Sequence, residues 1–533
     1  MCVVLLRQPD ALPAPMAMNK SLYLNLQDSA IILSFINACM SDNKFLAMLN
    51  EEFNRRANIP EKPDFELFPG QQKVFERFKE FVRSKSANTF LLKGYAGTGK
   101  TSLIRHFIYW LHENHFKFTL LASTGRGAKI LSDITAVRSF TIHSLIYMYE
   151  GLNQELDKLT DMVHQHQLPG TQLMLNFALR SSPDEDMIYI IDEASMISDV
   201  RDPSSSFARY GSGNVLRDLF TYHPQGKFVF SGDSCQLPPV NQKFSPALDK
   251  NYLNRTYHRI TWEAELNEVI RQSVRSGILD AATKIRRFVL EPPSVPWPRI
   301  VPLRNRNNII IYPEYQDFVE KYIYLIAEYG YQRATLICYS NKYCSVFNEL
   351  IRKFLFNTNE PLIPGDLLMV VQNNYLVDLV NGDLVEVLKV GNYYERANLR
   401  FREVEVRELG SQRKFNTLLI ESVLTSLQQR LDEHQHLSLF VDFNIRMRKK
   451  EIKQGTDKFD EAMKSDPYLN ALRANYGYAL TCHKSQGGEW DDVFVFIDNK
   501  TLGLQPPGFY QWLYTAVTRA RKHLHVPDGW FLS

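Results

Sequence analysis

The chain has 533 residues, too many for one ordinary core, so about three or more folding units are expected. Its 44% hydrophobic and 23% charged content excludes disordered and fibrous classes, and a net charge of +3 permits a polyanionic partner without requiring one. Six cysteines without a CxxC pair exclude a zinc ribbon, an iron–sulfur site and a disulfide framework, and no apolar run reaches the ~18 residues of a membrane helix, so a cytoplasmic protein is expected.

In chain order, Met16 and Met18 follow a proline-rich leader and are alternative starts, a point that intact mass decides. Ile31, Ile32, Phe35, Ile36, Phe45, Leu49 and Phe53 then recur at helical spacing and predict a helical accessory segment over 1–64. "EKPDFELFPG" closes it. From residue 65 to 262, helical stretches alternate with the short apolar runs "NTFLLKG", "FTLLAST", "MIYIIDE" and "KFVFSGD", each ending in small or acidic residues. Strands of that kind predict a parallel sheet whose site lies at the carboxyl ends. "ATLICYS" and "VFVFID" predict a second α/β domain over 263–362 and 474–533. Between its parts, 363–473 alternates around turn signals such as "VNGD" and reads as a small β-rich insertion.

"KGYAGTGKTSLI" sets Gly94, Gly97, Thr98, Gly99, Lys100 and Thr101 between a strand and a helix, the context a phosphate-binding loop requires. Glycines let backbone amides wrap phosphate oxygens, Lys100 reaches the β and γ phosphates of ATP, and Thr101 binds Mg2+. "YIIDEASMI" ends a strand with Asp192, suited to holding magnesium, and Glu193, suited to orienting the attacking water. Such a site lacks charge on the far side of the γ phosphate, and Arg271 in "EVIRQ" and Arg519 in "YTAVTRARKHL" are candidates to supply it. "FVFSGDSCQLPPV" is the less usual stretch, a strand whose exit loop carries a glutamine and two prolines.

Taken in order, "LFPGQ", "GYAGTGKT", "ASTGRGAKIL", "TIHSL", "IIDEASM", "GDSCQLPPV", "VIRQ", "YALTCHKSQGGEW" and "LYTAVTRA" resemble the successive motifs of RecD-like superfamily 1B helicases, from about Leu67 to Leu524. The resemblance implies two RecA-like domains with an SH3-like subdomain in the insertion. It implies that Gln71 reads the adenine, that Glu489 approaches the ribose or phosphates, that Gln236 senses the γ phosphate, and that Arg271 and Arg519 close over it. Ser123, Thr124, Arg126, His143, Pro238, Pro239, Thr481 and His483 would line a groove for single-stranded DNA. Residues 147–186 would hold the strand-separating element, with "QLMLNFALR" as part of a hairpin, and "RMRKKEIK" is a candidate for duplex phosphates. The expected activity is an ATP-dependent DNA helicase moving 5′ to 3′ on single strands and at junctions, in repair, recombination or replication. A translocase that displaces proteins without unwinding and a nucleotide-gated DNA-binding adaptor stay open beside it.

Overall fold

The computed structural model describes residues 59–164, 173–183, 185–201, 208–267, 277–293, 301–374 and 376–533. The expected helical segment at the amino end lies outside these, apart from its last few residues. In chain order the first strands are β1 (Thr89–Gly94), β2 (Phe118–Ala122), β3 (Ser139–Thr141), β4 (Tyr147–Leu152), β5 (Leu175–Leu179), β6 (Ile188–Asp192), β7 (Ala208–Tyr210), β8 (Lys227–Gly232) and β9 (Thr261–Leu266). Six of them pair in parallel in the order β3-β2-β6-β8-β1-β9. The register sets Ala122 beside both Thr141 and Asp192, which brings the exits of β2, β3 and β6 to one edge.

Apolar runs make central strands here because both faces of the sheet are covered. Phe90 and Leu92 of β1 face a layer with Phe78 and Phe107, while Leu91 faces the opposite layer with Phe228 and Phe230, and all are fully buried. Each such side chain contributes about 1.5–3 kcal/mol by leaving water. The helix Lys100–Glu113 buries Leu103, Ile104, Phe107, Ile108 and Leu111, a single face at helical spacing. At the amino edge, buried Arg259 bonds Thr89 Oγ1 and the carbonyls of Pro224, Asn88 and Gly226 at 2.9–3.0 Å, and burial lowers its pKa to about 10.

β4, β5 and β7 form a separate three-stranded sheet, with β4 antiparallel to β5. Leu175–Leu179 within "QLMLNFALR" thus pairs antiparallel with β4, in line with the expected hairpin partner.

The later strands are β10 (Ile309–Tyr312), β11 (Ala334–Cys338), β12 (Leu367–Val370), β13 (Leu384–Arg396), β14 (Leu399–Glu408), β15 (Lys414–Ile420), β16 (Ala474–Tyr476), β17 (Ala479–Thr481), β18 (Trp490–Val495) and β19 (Ala520–Pro527). A second all-parallel sheet has the order β10-β19-β18-β11-β17. The insertion is an antiparallel sheet, β15-β14-β13-β12-β16. The architecture is therefore α/β, with two RecA-like parallel sheets and an antiparallel insertion.

Two features depart from the sequence reading. The expected boundary at 262 falls inside β9, and the one at 473 falls just before β16, which pairs with β12 of the insertion. The insertion also carries the helices Glu433–Lys449 and Asp457–Ser465. "RMRKKEIK" spans the end of the first of these. Its Arg446 bonds Asp442 at 2.9 Å and also pairs with Asp466, and Arg448 bonds Asp157 at 2.5 Å and Asp161 at 3.0 Å. These two arginines are thus paired within the protein, the second to the helix Leu156–His164 that follows β4.

Candidate nucleotide site

β1 delivers the phosphate loop at its carboxyl end. Gly97 and Gly99 hold φ of 81° and 77°, in the left-handed region where a side chain is strained, so these two turns need glycine. A Cβ on Gly94 would come within 2.7 Å of Thr98 Oγ1, so the loop also packs too closely for a larger residue there. Lys100 Nζ donates to the carbonyls of Gly94 at 2.6 Å and Tyr95 at 3.2 Å, lying along the loop. Gln71 is buried, with its amide nitrogen 3.5 and 3.4 Å from the carbonyls of Thr98 and Gly99.

β6 ends beside this loop. Thr101 Oγ1 donates to Asp192 Oδ2 at 3.4 Å, and Ser231 Oγ to Asp192 Oδ1 at 2.8 Å. A threonine hydroxyl and a carboxylate converging at a helix N-terminus are oxygen donors of the kind a hard cation takes, so Thr101 and Asp192 fit Mg2+. Glu193 follows in the left-handed conformation, φ 51°, and Ser123 Oγ holds its carbonyl at 3.0 Å. Burial and the neighbouring Asp192 charge raise the Glu193 pKa above the ordinary carboxylate value, opposed by Arg519 and Lys100.

The second domain faces the loop directly. Buried Arg519 donates through Nε to the Thr515 carbonyl at 3.0 Å and through Nη1 to the Gly488 carbonyl at 3.3 Å, which fixes it close enough to act on Glu193. Tyr514, from the helix Gly508–Val517, accepts from the Ala96 amide of the phosphate loop at 3.2 Å and donates to Asp233 Oδ2 at 2.8 Å. Thr515 Oγ1 accepts from the Leu237 amide at 2.9 Å. Tyr514, Thr515 and Asp233 were not singled out by motif reading. Each lies inside a quoted motif, and its partners become visible only when residues as far as 418 positions apart meet.

The Gln236–Pro239 loop is thus gripped from the second domain rather than free at the surface. Gln236, Leu237, Pro238 and Pro239 are all buried. Gln486 Nε2 donates to the Leu237 carbonyl at 3.4 Å, and His483 bonds the Pro238 backbone. Gln236 Oε1 has no hydrogen-bond partner among the described residues.

The groove candidates divide. Thr124 caps the helix Gly125–Thr135 by accepting from Gly127 N at 3.0 Å, and Arg126 stacks over Trp490 at 5.1 Å, so both are engaged within the protein. Arg126, Glu489 and Trp490 line one cavity of about 240 Å³ between the first domain, the second domain and the insertion. Thr481 starts the short helix Cys482–Ser485. His143 meets the rings of Tyr147 and Tyr210 at 5.5 and 5.1 Å. Arg271 lies outside the described residues.

A phosphate loop on one parallel sheet, overlooked by a buried arginine carried by another, is the arrangement of a two-domain P-loop NTPase. Comparison with known proteins narrows the class. Residues 66–288 match the AAA domain family, and residues 476–526 match the UvrD-like helicase C-terminal domain. Among relatives, an uncharacterised protein of Acanthamoeba polyphaga mimivirus is 22% identical, covering 85% of this chain and 98% of that protein. The ATP-dependent DNA helicase dda of Enterobacteria phage T4 is 22% identical over 86% of this chain and 98% of its own. Among solved structures, the Pif1 helicase from Bacteroides in complex with ADP-AlF3 and ssDNA aligns with a TM-score of 0.43 at 15% identity, covering 87% of this chain and 93% of that one. The chain belongs to the superfamily 1B helicases related to RecD and Dda.

Proposed function

We propose that this chain is an ATP-dependent DNA helicase that moves 5′ to 3′ on single-stranded DNA and separates duplex ahead of it, in repair, recombination or replication. The observation that carries the reading is the seam between the sheets, where Tyr514 of the second domain bonds the phosphate loop and Asp233 of the first, Thr515 holds the Leu237 amide, and the Arg519 charge acts on Glu193.

The loop amides and Lys100 bind the phosphates, and Gln71 orients the adenine. Thr101 and Asp192 hold Mg2+, which when bound offsets charge on the phosphate oxygens. Glu193 orients the attacking water and takes its proton. Arg519, together with Arg271, stabilises charge on the transferring phosphoryl group, a contribution of ~10³–10⁵ in rate for arginines of this kind. Glu489 approaches the ribose or phosphates. Gln236 has an unpartnered amide oxygen on a loop clasped by both domains, which suits it to report the γ phosphate.

Ser123, Thr124 and Arg126 follow β2, His143 follows β3, Pro238 and Pro239 follow β8, and Thr481 and His483 lie at the end of β17, so the groove candidates stand at carboxyl ends of the same two sheets that carry the nucleotide loops and Arg519. Closure moves the protein only if a domain holds DNA more tightly in one nucleotide state than the other. The antiparallel β4–β5 pair is the element assigned to parting the strands.

Strand displacement on 5′-tailed and 3′-tailed duplexes tests this. Release from the 5′-tailed substrate alone, absent in Lys100→Ala, is expected. Release from the 3′-tailed substrate alone overturns the direction, and DNA-stimulated hydrolysis without release favours the translocase.

A further inference from the structure

One side chain of the phosphate loop leaves its own domain. Tyr95, between Gly94 and Ala96, packs against the core cluster built on the second sheet and meets the helix Gly277–Leu290 there. We propose that Arg286 of this helix is a positioning residue for ATP hydrolysis, which holds the second domain on the phosphate loop through the Tyr95 ring; the proposal rests on the nucleotide-site reading above.

Tyr95 is fixed at its face, its edge and its backbone. The ring face takes the Arg286 guanidinium, whose Cζ lies 3.7 Å from the centroid, the closest cation–ring approach among the described residues. At the edge, Glu265 of β9 accepts from the Tyr95 hydroxyl at 2.8 Å. Burial and this bond raise the hydroxyl pKa above its ordinary value, opposed by Arg286, so the hydroxyl stays protonated near neutrality and remains a donor. The Tyr95 carbonyl accepts from Thr98 Oγ1 at 2.8 Å and from Lys100 Nζ at 3.2 Å. The arginine on the ring and the lysine that reaches the phosphates are thus joined through one residue.

The helix that carries Arg286 is set by the same seam. It buries Ile278, Ala281, Ala282, Ile285 and Val289, and its Phe288 meets Tyr510 of the helix Gly508–Val517 at 5.1 Å. That partner helix bonds the next loop residue, Ala96, through Tyr514. Arg286 and Tyr514 therefore grip adjacent residues of the loop from two packed helices. The amides that wrap phosphate come later in the loop, from Gly97 on. A grip ahead of them leaves nucleotide binding to the first domain and bears on how the second domain, with Arg519, sits over the nucleotide.

The test measures kcat and KM for ATP at saturating oligo(dT) in the full chain, for Arg286→Ala, Arg286→Lys, Tyr95→Leu and the double variant Tyr95→Leu/Arg286→Ala. Loss of the cation–ring pair is expected to lower kcat about five- to tenfold in Arg286→Ala, with KM for ATP little changed. Arg286→Lys is expected to recover part of the rate, because an ammonium keeps the charge but not the planar face. Tyr95→Leu is expected to match Arg286→Ala, and the double variant to be no worse than either single one, since both break the same contact. A double variant whose loss is the product of the two single losses overturns the proposal, as does Arg286→Ala with wild-type kcat or with a raised KM alone. A wild-type chain that does not hydrolyse ATP overturns the nucleotide-site reading, and the proposal with it.

Discussion

At its carboxyl edge the first parallel sheet presents backbone amides, Lys100 and the carboxylates of Asp192 and Glu193, whereas the second presents the side chains of one helix, Gly508–Val517, and the arginine just beyond it. At the amino edges the two are alike. Arg259 is buried under the first sheet with its hydrogen bonds filled by backbone carbonyls and Thr89. Asp492 at the start of β18 is buried under the second, paired with Arg333 at 2.6 Å and bonded to His523 and His525 at 3.0 Å. A buried charge at the amino edge anchors strands. At the carboxyl edge, buried Arg519 is held by the Thr515 and Gly488 carbonyls and the Thr518 hydroxyl while its charge acts on Glu193 across the seam. On the proposed reading, the first sheet supplies phosphate binding and the second supplies what turnover needs.

The largest effect expected from this division is that of Lys100→Ala. Its side-chain bonds run only to two loop carbonyls, so the fold should survive while hydrolysis falls by at least about a thousandfold, with nucleotide affinity falling too. Steady-state ATPase and nucleotide titration check both halves. An intermediate effect is expected of Tyr514→Phe, which keeps the buried ring and deletes the hydroxyl joining Ala96 to Asp233. Two hydrogen bonds at about 1 kcal/mol each correspond to a tenfold or somewhat larger drop in DNA-stimulated turnover. Nucleotide affinity should stay near wild type, because the phosphate loop remains; a loss of affinity without loss of turnover would place Tyr514 in the first sheet's half of the division.

The smallest effect near neutrality is on stability against pH. His106, His143, His223, His436, His483 and His525 are all held below the ordinary imidazole value, with burial the largest cause in each. The folded chain therefore resists protons that the unfolded chain accepts. Stability from this source is full above the unfolded value of about 6.5 and is lost as pH falls below it. Thermal melts are expected to drop between about pH 6.5 and 5, and His525→Asn should flatten part of that drop through the second domain.

Much of the first sheet was legible in sequence because its strands are buried on both faces and end in the residues that do the chemistry. The phosphate loop needs no distant partner to be recognised. The trans side was legible only in part. Arg519 stood inside a motif, but Tyr514 and Thr515 read as ordinary positions of an apolar helix, since their partners Asp233 and Leu237 lie nearly 300 positions earlier. The helix Glu433–Lys449 was missed for a different reason. Its buried face, His436, Leu439, Phe440, Phe443, Asn444 and Met447, keeps helical spacing but includes a histidine and an asparagine, which interrupt the apolar stripe that sequence reading looks for. Arg446 and Arg448 read in sequence as candidates for duplex phosphates because Asp466 and Asp157, which pair with them, lie 20 and 291 positions away.

The most direct measurement is the kcat and KM of Arg519→Ala for ATP at saturating single-stranded DNA, beside Arg519→Lys. If the second sheet supplies turnover and the first supplies binding, kcat falls by about 10³ or more with KM little changed, and lysine restores only a small part because it lacks the guanidinium fork. A variant that hydrolyses ATP at the wild-type rate, or that loses affinity while keeping kcat, would contradict the account.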